Sequence, residues 1–150
     1  MENLPEFLKV DVSHAVTRFP TLEPYTRAMN ILRLHHVQIT VPEGAEVQAR
    51  AFYCGTLALL EMARPASLEG RGGFWLELGG QEIHVGTEGK FDRLSTKAHL
   101  AYQVENLAAW RVRLEGAGCK ILESISIPGF ERFETRDPFG NRLELIEKIP

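Results

Sequence analysis

A chain of 150 residues, 44% hydrophobic and 9% aromatic, is long enough for one ordinary domain with a real core. Its net charge of -3, from 17 basic and 20 acidic residues without a basic block, gives no electrostatic footprint for nucleic acid or an anionic membrane surface. The two cysteines, Cys54 and Cys119, lie outside any CxxC spacing, which argues against a disulfide framework and fits a reducing, cytoplasmic setting with both thiols as inert, buried packing groups. Glu2, Glu6, Lys9 and Asp11 interrupt the first dozen residues and leave no apolar core for a secretory signal, and no later stretch approaches a membrane span.

Residues 1–31 read as an extension. "SHAVTRFPTLEPYTRAMN" has two prolines and weak periodicity, and "MNILRLHHVQ" would serve as a start of its own. The regular text begins with "LHHVQITV", a strand carrying two adjacent histidines. An amphipathic stretch follows, "GAEVQARAFYCGTLALL", in which Val47, Ala51 and Cys54 recur at helical spacing. "LLEMARP" is a short strand closed by Pro65, and "GGFWLELGG" joins "QEIHVG" as two further strands. After the linker "TEGKFDRLSTKA" the order repeats. "HLAYQV" shares the pattern His, four residues, Val with "HVQITV". The helix "NLAAWRVRLEGAG" turns Leu107, Trp110 and Leu114 to one side before Gly116 and Gly118 stop it. "CKILESISIP" ends at Pro128, and "ERFETRD" runs through the turn "PFG" into "NRLELIE". The chain is therefore α+β, two βαβββ modules over about 32–87 and 97–148, forming a curved eight-stranded mixed sheet around a cavity.

The two-residue period of a strand separates its faces. Val37, Ile39 and Val41 share the core side with His35, while His36, Gln38 and Thr40 take the other. His99, Ala101 and Gln103 repeat that outward set. Glu82 and His84 oppose Ile83 and Val85, and Arg142 and Glu144 oppose Leu143 and Leu145. Four candidate ligands, His36, His84, His99 and Glu144, thus hold matched positions on the concave face of two modules. Imidazoles with one carboxylate suit a divalent transition metal. A lone strand histidine is commonly a surface or satisfied core residue, and His14 and His35 read so; Tyr53 and Cys54 read as core. Residues 1–28 hold no ligand that fits the repeat, so a chain starting at Met29 is expected to fold and bind metal. Arg71 and Trp75 in "RGGFWLEL", with Gln38 and Gln103, are candidates to line a substrate pocket.

Together, "HVQITV", "HLAYQV" and "DPFGNRLELIE" resemble the vicinal oxygen chelate superfamily, which includes glyoxalase I, the fosfomycin-resistance enzymes, methylmalonyl-CoA epimerase and the extradiol dioxygenases. The resemblance runs over about 32–148. "AFYCGTLALL" is similar to the family's FYxxxLG, with Ala58 where glycine is usual. The resemblance implies metal ligation by His36, His99 and Glu144, with His84 at the place of a fourth ligand in the glyoxalase and epimerase branches. Where this chain has His84, glyoxalase I has glutamate.

A three- or four-ligand site leaves positions open for vicinal substrate oxygens. With His84 as a ligand, the expected chemistry is proton transfer beside a metal-stabilised enediolate, by a lyase, isomerase or epimerase with Glu144 as candidate base. With His84 free, His36, His99 and Glu144 form a 2-His-1-carboxylate triad suited to Fe(II), and His84 becomes the acid or base of a ring-cleaving dioxygenase. A metal-free drug binder of the bleomycin-resistance type is the third reading, less favoured because a binder has no need of those ligands. The expected cofactor is a divalent ion, Fe, Ni, Zn, Mn or Co. The expected partners are a small-molecule substrate and a second copy of the chain, since the dozen-residue linker, spanning roughly 35–40 Å if extended, permits sites shared within a homodimer.

Overall fold

The structure, a computed structural model, describes residues 31–149 apart from residue 91. From Arg33 onward they belong to one unit, Arg33–Pro150, and the description is of that unit. The extension, with His14 and the expected start at Met29, lies outside the described residues but for Ile31.

Module one runs β1 (His36–Pro42), α1 (Glu46–Arg50), β2 (Leu60–Met62), β3 (Phe74–Leu78) and β4 (Gln81–Glu88). Module two runs β5 (His99–Gln103), α2 (Leu107–Gly116), β6 (Leu122–Glu123), β7 (Phe130–Arg136) and β8 (Arg142–Lys148). Each module is a four-stranded mixed sheet, in the orders β1-β4-β3-β2 and β5-β8-β7-β6. The eight strands thus form two sheets, and no ladder joins them among the described residues. In both sheets the first strand pairs in parallel with the last, which requires a crossover and places a helix on one face.

The alternation expected from the sequence sets the burial. Val41, Ile83 and Val85 are buried with Phe74 and Leu76 in module one, and Tyr102, Leu143 and Leu145 with Phe133 in module two. Each such side chain contributes about 1.5–3 kcal/mol through removal from water. Leu107 and Leu114 seal α2 against the second sheet, with Trp110 half-buried beside them. Asn106 caps that helix, its side chain accepting a hydrogen bond from the Ala109 N–H at 3.1 Å.

The first helix departs from its expected stripe. Val47 is 81% exposed, Ala51 is exposed and Cys54 only half-buried, whereas Ala49, Phe52 and Tyr53 are buried. After Arg50 the helix widens into π-type turns over Ala51–Thr56, with the Leu57 N–H bonding the Phe52 carbonyl at 2.9 Å. The wider turn rotates the phase, so a 3.6-residue period read straight through the segment chooses the wrong face. Cys119 is also half-buried rather than buried, and both thiols are free. Ala58, which ends this segment, sits at φ 58°, in the left-handed region that favours glycine.

Hydrogen bonds hold the modules together. Asp137, in the turn before β8, accepts from Tyr53 Oη at 2.7 Å, from Asn141 Nδ2 at 2.7 Å and from the N–H groups of Phe139 and Asn141 at 2.9 and 2.8 Å. Asn141 also donates to the Thr40 carbonyl in β1 at 2.9 Å, and Arg93 donates to the same oxygen at 2.9 Å. Burial, reinforced by the Asp137 charge, pushes the Tyr53 hydroxyl well above its ordinary pKa, so it remains a donor.

Candidate metal and substrate site

Register brings the module-one candidates abreast. On β4, His84 lies between Gln38 of β1 and Trp75 of β3. The Trp75 and His84 rings stack at 3.9 Å between centroids with 3° between planes, and the His36 ring stacks on His84 at 4.2 Å and 15°. His84 Nε2 lies 2.9 Å from a Glu82 carboxylate oxygen. A carboxylate can only accept, so Nε2 is the donor in this bond and Glu82 orients the ring through it. The same bond holds the Glu82 carboxyl below its ordinary pKa. His35 and His36 approach through their Nδ1 atoms at 3.1 Å, both exposed.

The second module supplies the matched pair. Ala101 faces Glu144 as Gln38 faces His84, so β4 and β8 present His84 and Glu144 at equivalent places. Glu144 is buried, with one carboxylate oxygen 3.3 Å from His99 Nε2 and 3.0 Å from Arg132 Nη1. Arg132, on β7, is not a residue that the sequence singles out. Its position opposite Ile146 gives it an i±2 diagonal reach to Glu144, a signal available only once the β7–β8 register is known.

A cavity of about 310 Å³ opens beside His84, lined among others by Gln38, Arg64, Arg71 and Trp75. Gln38 also reaches a second cavity, of about 220 Å³, that includes His99. Gln103 stands apart, at a mainly apolar cavity of about 320 Å³ with Tyr102, Trp110 and Leu57. Three of the four pocket candidates therefore sit at the His84 face, and Gln103 does not.

Residues 20–145 match the glyoxalase/bleomycin resistance protein/dioxygenase superfamily. The chain belongs to that superfamily. A crystal structure of a glyoxalase family protein from Bacillus anthracis is similar at 36% identity and TM-score 0.74, covering 82% of this chain and 100% of that one. An integron cassette protein from the mobile metagenome of V. cholerae is 24% identical with TM-score 0.60, covering 81% and 98% of the two chains. The fosfomycin resistance protein FosX from Listeria monocytogenes, complexed with Mn(II) and sulfate ion, shares the fold at 17% identity and TM-score 0.64, covering 80% and 93%. No curated protein matches.

Superfamily membership makes a divalent ion the group to test against these side chains. Two cis ligands at about 2.1 Å from one ion are roughly 3.0 Å apart. His99 Nε2 and Glu144, at 3.3 Å, fit that spacing. His36 and His84 do not fit as a pair. Imidazole lone pairs lie in the ring plane, and rings stacked face to face send them out along near-parallel planes, so one ion cannot bind both until a ring leaves the stack. Among the described residues no three His, Cys, Asp or Glu side chains converge on a metal position within one chain. The four candidates are gathered as two pairs, one on each sheet.

Proposed function

We propose that this superfamily member is a metal-dependent enzyme that moves a proton on a small, oxygen-rich substrate, as a lyase, isomerase or epimerase, with His84 as the base. The observation that carries this reading is the dyad of His84 and Glu82 at the wall of a substrate-sized cavity, its imidazole held between Trp75 and His36. A base oriented by a carboxylate and fixed by ring packing is what general-base catalysis requires. His36, His99 and Glu144 would hold the ion, which when bound supplies electrostatic stabilisation of negative charge on substrate oxygens. The Mn(II) in the FosX complex is in keeping with such an ion on this fold. Arg132 holds the Glu144 carboxylate in place at 3.0 Å, a role closer to ligand than to base.

The separation of the ligand pairs within one chain favours completion of each site across a two-fold homodimer, module one of one copy facing module two of the other. Free thiols at Cys54 and Cys119 suit a cytoplasmic setting. Among the described residues no helix is long and apolar enough to cross a membrane.

A second reading draws on the same stacking. With His84 outside the donor set, His36, His99 and Glu144 make the triad of an Fe(II) ring-cleaving dioxygenase. Metal content of protein purified without added metal, with aerobic and anaerobic assays on a 2-oxoaldehyde thiol adduct and on a catechol, separates the readings. Nickel, zinc, manganese or cobalt without oxygen consumption is the expected result. Iron with oxygen uptake transfers the assignment to the dioxygenase, and tight drug binding without metal to a sequestering protein.

A further inference from the structure

The cavity beside His84 is built asymmetrically in charge. Arg64 and Arg71 line it, together with Gln38, and no carboxylate does. Of the carboxylates nearby, Glu82 is engaged by His84, Glu61, whose charge also reaches Arg64, is held by Arg50 at 2.8 and 2.9 Å, and Glu46 faces the Gly73 N–H at 3.4 Å. Arg64 donates one N–H to the Gly72 carbonyl at 3.1 Å, which holds it against the loop carrying Arg71 and leaves further donors on its guanidinium. The Arg71 guanidinium and the Gln38 amide have no hydrogen bond or ion pair with another described residue.

Glycines shape this wall. A Cβ on Gly72 would lie 2.5 Å from Thr87 Oγ1, and one on Gly73, at φ 88°, would collide with the Val85 carbonyl oxygen. Only glycine lets the segment after Arg71 lie flat on β4, and that close approach places Arg71, itself exposed, at the mouth of the cavity. Gly86 does the same for Gln38, because a Cβ there would sit 2.9 Å from its Nε2.

We propose that this cavity binds the acidic end of the substrate: a small molecule carrying a carboxylate or a phosphate-like oxyanion is held by Arg64 and Arg71, with the Gln38 amide as a further donor, and its reactive carbon is thereby presented to His84. Planar guanidinium groups match the paired oxygens of such anions, and the nearby carboxylates Glu82 and Glu61 are held by His84 and Arg50, so neither lines the cavity itself. At about 310 Å³ the cavity is at the small end of ligand sites, so the anion belongs to a compact metabolite rather than a nucleotide or a peptide. The inference rests on the reading of this face as the active site, yet it concerns anion binding and is tested without turnover.

The chain has two tryptophans, Trp75 and Trp110. In a Trp110→Phe background the remaining indole lines the cavity and reports on its contents. Phenylphosphonate, benzoate and the neutral benzamide are titrated against its fluorescence, on protein as purified and after dialysis against EDTA. Both anions, or one of them, should give a saturable change that benzamide lacks, and the better one identifies the oxyanion class. Arg71→Met and Arg64→Met should each weaken anion binding by about ten- to a hundredfold, with Arg71→Lys intermediate. Equal binding of benzamide, or unchanged anion affinity in both methionine variants, overturns the proposal. So does anion binding that vanishes with EDTA but ignores Arg71, since the anion would then be on the metal. Metal affinity of the same variants, measured separately with Mn(II), should be unchanged. If the parent protein binds no metal while anion binding depends on both arginines, the metalloenzyme reading fails and the anion site stands.

Discussion

At the residue scale the informative side chain is His84, because the same imidazole is a ligand in one chemistry and a base in another. Its ring is sandwiched and its Nε2 proton committed to Glu82, so His84→Ala should keep metal affinity within about threefold while turnover falls by roughly 10²–10⁴, the usual share of a general base. A loss of metal in that variant, measured by metal analysis after dialysis, would return His84 to the ligand set. Ala58 makes a second residue-scale case. Its φ of 58° costs an L-residue about 1–2 kcal/mol, and glycine gives back about 0.4–1 kcal/mol of that as unfolded-chain entropy. Ala58→Gly should therefore stabilise the protein by about 0.5–1 kcal/mol, seen as a melting temperature raised by roughly 2 °C. A lowered melting temperature would show that the methyl group packs well enough to offset the strain.

At the scale of elements, the turn between β7 and β8 does more than reverse the chain. Asp137 gathers four donors, one of them Tyr53 from the π-type segment of module one, and Asn141 reaches from the same turn to β1. These contacts fix where the β1 end of module one meets the turn before β8 of module two. Replacing Asp137 by alanine orphans buried donors and should cost about 3–5 kcal/mol in urea unfolding, whereas Tyr53→Phe removes one bond and should cost about 1–2 kcal/mol. Similar, small costs for both would mean that water replaces the carboxylate and that the turn does not clamp the modules.

For the molecule as a whole, the question is where the two ligand pairs meet. If module one of each chain faces module two of the other, a mixed dimer of His36→Ala and Glu144→Ala chains carries both lesions in one site and leaves the other intact. Random exchange between two inactive proteins should then restore about a quarter of the parental activity. No recovery, with exchange proven by differently tagged chains, would place each complete site within one chain.

How much of this was legible in the sequence follows from the range of the forces concerned. Strand alternation is local, so the outward faces bearing His36, His84, His99 and Glu144, and the inward Val41, Val85, Leu143 and Leu145, were readable from the order of residues, as was the repeat of two βαβββ modules. The helical stripe was misread because a π-type turn changes the period inside the segment, and the burial of Phe52 and Tyr53 reflects packing and the bond to Asp137, 84 residues away. Pairings across strands lay equally out of reach. Nothing near Glu144 in the chain announces Arg132, and only the folded register stacks Trp75 on His84 or sends Gln103 to a different cavity from Gln38. Which side chains share the face opposite the apolar core follows from a two-residue period and is written in the order of residues; which of them touch depends on register and on how the strands are set side by side, and that exists only in the fold.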